Sequence, residues 1–69
     1  MLENGVAEVK RIEKLEFVPP EWDIYFDFFA SDEVGACPMA FRSLAQDELG
    51  AYQEFMQFYK ERGVHVIWL

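Results

Sequence analysis

A small α+β domain, ordered β-β-α-β, is the fold class this sequence predicts. Three observations point to it. An amphipathic stretch over residues 44–62 ends at Gly63, a β-branched and aromatic run over 64–69 follows it, and apolar residues alternate with polar ones over 22–29. At 69 residues the chain holds one domain, 1–69, in which one long helix packs on a three-stranded sheet of open strand order.

Residues 1–8 are expected to form a flexible N-terminal segment. The first strand is placed at Lys10–Val18, because Leu15 and Phe17 alternate with Glu16 and the run meets Pro19 and Pro20. Prolines lack the N–H a ladder needs, so they end it. Val6, Val9, Ile12 and Leu15 also recur every third residue, which suits a helical turn.

Trp22–Phe29 supports two readings. As a strand, Trp22, Ile24, Phe26 and Phe28 fill one face, and Asp23, Tyr25, Asp27 and Phe29 the other. As a helix, its apolar arc is too wide for so small a protein to bury, and the fold becomes β-α-α-β. The strand is preferred. Ser31–Arg42 shows no strong periodicity and is expected to be a long connection.

The helix over 44–62 is predicted to start at a Ser43–Gln46 capping box, with Asp47 and Glu48 in its first turn. Leu44, Ala45, Leu49, Ala51, Tyr52, Phe55, Met56, Phe58 and Tyr59 share its apolar half. Lys60 and Arg62 close the last turn, and Gly63 stops it. Val64–Leu69 is then a strand with two largely apolar faces.

Composition narrows the function. The formal net charge is -7, and aromatics make up 17% of the residues. So apolar a chain is not an intrinsically disordered one. Its acidity argues against direct nucleic-acid binding and against an anionic membrane surface. Glu21–Glu54 holds eight acids against Arg42 alone, so this segment carries the whole net charge.

Catalytic and metal chemistry find little support. Cys37 and His65 are the only residues of their kinds, with no motif around them. No EF-hand loop, phosphate-binding glycine pattern or multi-cysteine zinc spacing occurs. No enzyme activity, cofactor or metal is therefore expected. There is no apolar run of transmembrane length and no secretory signal pattern, so the expected setting is cytoplasmic. Met1 and the lack of a tag give the expectation of a whole small gene product.

Recognition remains. The expected function is that of a non-enzymatic acidic interaction module, an adaptor or inhibitor that binds a basic surface of a partner protein. Its sharper form is mimicry of nucleic-acid charge. The candidate partner-binding residues are Asp23, Tyr25, Asp27, Asp32, Glu33, Asp47 and Glu54. The alternative is a subunit or assembly chaperone of a larger complex, encoded by a phage or mobile element. A homodimer is expected, because so short a chain builds only a small core.

Overall fold

The computed structural model describes residues 5–32 and 34–68. In chain order its elements are β1 (Gly5–Leu15), β2 (Glu21–Ala30), β3 (Cys37–Ser43), α1 (Glu48–Lys60) and β4 (Val64–Trp68). The strands form a mixed sheet in the order β3-β2-β1-β4. β2 runs antiparallel to both β1 and β3, whereas β4 joins β1 in parallel. The α+β class holds, and the three-stranded β-β-α-β order is corrected to a four-stranded β-β-β-α-β. The β-α-α-β alternative falls, because Trp22–Phe29 lies within β2.

β1 starts at Gly5 rather than Lys10 and ends at Leu15 rather than Val18. A register shift between Val9 and Arg11 accounts for one step, Val9 to Ile12, of the three-residue spacing that suits a helix. The bulge adds one residue, so Val9 and Ile12 face the same side although they are three apart. Gly5 opens the strand at φ +140, and a Cβ there would lie 2.3 Å from the Phe29 carbonyl oxygen. Only glycine lets the two backbones approach so closely.

β3 occupies the segment expected to be a connection. Its seven residues pair with β2 from Trp22↔Ser43 to Phe28↔Cys37. It is an outer strand, mostly exposed, so it lacks the apolar alternation that marks a half-buried one. Pro38 is tolerated there because an outer strand can leave one flank without a ladder partner.

The helix is shorter than predicted. It begins at Glu48, because Asp47, not Ser43, caps it: the Asp47 side chain accepts from Gly50 N–H at 2.7 Å. Ser43 ends β3 instead. Its Oγ accepts from Ala45 N–H at 3.1 Å and donates to Glu54 at 2.7 Å. At the other end α1 stops at Lys60 rather than the predicted Arg62, and a turn over 61–63 follows, in which Gly63 takes φ +78 and its N–H donates to the Lys60 carbonyl. Val64 then enters β4 directly. Leu69, the last residue of the predicted final strand, lies outside the described residues, as do 1–4 of the expected N-terminal segment.

One face of the sheet carries the helix. Ala7, Val9, Ile24, Phe26, Ala51, Phe55 and Val64 form the buried core. Phe55 meets Phe26 edge-on at 5.0 Å and Phe41 at 5.5 Å, and Tyr59 lies 4.9 Å from Phe55. Ala7 and Ala51 are small enough to admit these rings. Each fully buried phenylalanine contributes roughly 1.5–3 kcal/mol relative to exposure. No described helix is long and apolar enough to cross a membrane.

Candidate functional site

The face of the sheet away from α1 collects Asp23, Tyr25 and Asp27 from β2, as the alternation predicts. It is not a bare acidic surface. Arg42, opposite Asp23 on β3, donates to both Asp23 carboxylate oxygens at 2.7 and 3.2 Å, and to Glu21 at 3.0 Å. Asp23 is only 8% exposed, so this fork-shaped pairing offsets the loss of water around its charge. The Arg42 guanidinium is held above its ordinary pKa, chiefly by the Asp23 hydrogen bond, with burial acting the other way. Lys10 lies 3.3 Å from Asp27, and Arg11 pairs with Glu13 at 2.9 Å. Arg11 also covers the Tyr25 ring at 4.1 Å.

The remaining candidates lie elsewhere. Asp32 is exposed in the turn after β2, and Glu33 lies outside the described residues. Asp47 caps α1. Glu54 sits on the helix and accepts the Ser43 hydroxyl hydrogen bond. The described candidates are spread over the open sheet face, the β2 turn and the helix. They do not converge on one surface.

A different feature does converge. At the N-terminal end of α1, Ile12, Leu49, Tyr52 and Trp68 line an open groove of about 590 Å³, with Asp47 and Glu48 at its border. Leu49 is 64% and Trp68 50% exposed, and Trp68 meets Tyr52 edge-on at 5.3 Å. Among the described residues, no base forms an ion pair with Asp47 or Glu48. The groove therefore combines apolar walls with the Glu48 carboxylate and with Asp47, whose carboxylate accepts the Gly50 N–H.

Of its lining, the sequence reading nominated only Asp47. The helical wheel places Leu49 and Tyr52 on the apolar half of the helix, and Trp68 belongs to a strand expected either to be buried on both faces or to turn one face to another chain. No local pattern separates these residues from the core, because their exposure depends on how α1 packs on the sheet.

Cys37 and His65 lie on β3 and β4, the two outer strands, with β2 and β1 between them. At about 4.8 Å per strand, that separation is far beyond hydrogen-bond reach. Among the described residues, no group of three His, Cys, Asp or Glu side chains is placed to hold a metal ion. Burial raises the Tyr59 phenol above its ordinary pKa, with Arg62 acting in the opposite sense. No family model, curated protein or solved structure matches this chain.

Proposed function

We propose that the chain is a non-enzymatic, cytoplasmic interaction module, an adaptor or inhibitor that binds a basic surface of a partner protein. The observation that carries this reading is the groove at the start of α1, where Asp47 and Glu48 border exposed Leu49 and Trp68. Apolar walls favour burial against a partner, and the Glu48 carboxylate beside them favours one that brings cations. The separation of Cys37 from His65 supports the non-enzymatic part.

Asp23 and Asp27 serve this reading differently from the way the sequence suggests. Their charges are engaged by Arg42 and Lys10, so the acids left to meet a partner include Glu48 at the groove and Asp32 in the turn after β2. A nucleic-acid mimic would present its carboxylates there rather than on the sheet.

The alternative, a subunit of a larger complex, is favoured by exposed Leu44, Leu49 and Trp68, which a permanent neighbour would bury. Affinity capture from the source cell at rising salt tests the leading reading. Capture that weakens between about 0.05 and 0.5 M salt, and fails for Glu48→Lys, supports it. Capture indifferent to both overturns it. Sedimentation of the purified chain tests the expected homodimer.

A further inference from the structure

β3 is held unevenly along its length. Side chains anchor its second half. Phe41 meets Phe55 at 5.5 Å and Phe58 at 5.3 Å. Arg42 forks onto Asp23 and reaches Glu21. Ser43 accepts from Ala45 N–H and donates to Glu54. The first half has no such anchors. Among the described residues, Cys37, Pro38, Met39 and Ala40 make no side-chain hydrogen bond, ion pair or ring contact. All four are exposed, Met39 at 40% although it lies opposite buried Phe26.

The approach to this half is equally loose. Val34, Gly35 and Ala36 lead into it and are exposed. Gly35 takes φ +104, and nothing lies within 4 Å of where its Cβ would be, so the backbone turns there in open space. In the ladder to β2, Pro38 has no N–H to give. β2 itself is fixed beneath. Phe26 and Phe28 pair with Val9 and Ala7 of β1, and the Phe26 ring lies 5.0 Å from Phe55 and 5.2 Å from Tyr59. Met39 forms one wall of an apolar pocket of about 200 Å³ that Phe28, Tyr59, Arg62 and Val64 complete.

A stretch held chiefly by main-chain bonds, with its side chains in water, opens at a lower free energy than the core. We propose that Cys37–Ala40 is a flap that opens from β2 while the rest of the domain stays folded, with Phe41, Arg42 and Ser43 as its fixed end. Opening frees the edge of β2 along Phe26–Phe28. It also withdraws the Met39 wall, so Phe28 and Tyr59 gain exposure. This inference does not depend on the acidic-module reading.

Amide exchange of the full, isotope-labelled chain at rising, sub-denaturing urea tests it. Amides that bond across the ladder between Phe26–Phe28 and Cys37–Ala40 are expected to exchange through an opening that urea barely promotes. Amides that bond across the ladder between Trp22–Ile24 and Phe41–Ser43 are expected to exchange at least about tenfold more slowly, with the steep urea dependence of the β1–β2 amides. One steep dependence shared by both groups overturns the flap.

Met39→Ala gives a second reading, with the fold checked by circular dichroism. It is expected to speed exchange of the flap amides severalfold and to leave the β1–β2 amides unchanged. Acceleration of the β1–β2 amides by the same factor makes Met39 part of the global core and overturns the proposal.

Discussion

The two halves of β1 share one strand and differ in almost every physical respect. Gly5–Val9 lies between β2 and β4, and Ala7 and Val9 are fully buried under α1. Arg11–Leu15 has β2 on one flank only, and its residues are half-buried or exposed. The bulge at Val9/Arg11 marks the change. The first half holds the fold together, whereas the second is a surface, with Arg11 and Glu13 on the open sheet face and Ile12 and Lys14 on the helix side. The sequence changes with the role, from GVAEV to RIEKL.

The contrast is broken most forcefully from the core. Phe55→Ala removes a fully buried ring that touches Phe26, Phe41 and Tyr59. The expected loss is about 3–5 kcal/mol in urea unfolding, enough to unfold much of so small a domain. Gly5→Ala attacks the first half directly. With φ +140 and a carbonyl oxygen 2.3 Å from the new Cβ, it should cost more than about 1 kcal/mol. By contrast, Leu15→Ala, at the open end, should stay below about 1 kcal/mol in the same assay. A loss equal to that of Gly5→Ala would mean the halves are not distinct.

Asp47→Ala sharpens the contrast at the groove. It removes the cap that accepts from Gly50 N–H, at a cost of about 1 kcal/mol by thermal unfolding. Any basic ligand should then bind more weakly than to a variant of equal stability changed elsewhere.

The smallest effect is one of pH. The Tyr59 phenol has a raised pKa in the folded chain, from burial. The folded state therefore keeps this proton after the unfolded state has lost it. Its stabilising share is complete below the unfolded value of about 10 and is lost as pH rises through the folded value. Tyr59→Phe should lose less stability than the parent between neutral pH and that range, as followed by urea midpoints. An identical alkaline decline in both would remove Tyr59 as its cause.

Much of the fold was legible in local pattern. The alternation in Trp22–Phe29 is the signature of a strand with one buried face, and Ile24 and Phe26 are indeed buried. Gly63 marks the helix end because its positive φ suits glycine. What was illegible depends on neighbours. β3 is an outer strand whose partner, β2, supplies the pairing that its own composition does not announce. Ser43 and Asp47 both suit a helix cap, and the choice between them depends on Ser43 being drawn into β3 and toward Glu54. The acids of β2 were visible in sequence, but the bases that neutralise them come from β1 and β3. The groove is not legible in the sequence because Leu49, Tyr52 and Trp68 carry the same apolar pattern as the core, and only the packing of α1 leaves them exposed or half-buried.

We propose that a basic partner meets the groove beside Leu49 and Trp68 rather than the sheet face that carries Asp23, Tyr25 and Asp27. A titration of the isotope-labelled chain with a capped heptapeptide of alternating lysine and valine, followed by amide and indole shifts, tests this directly. The largest changes are expected at Leu49, Tyr52 and the Trp68 indole, with Asp23, Tyr25 and Asp27 changing little. Changes centred on Asp23, Tyr25 and Asp27, with Trp68 unmoved, place the partner on the sheet face instead.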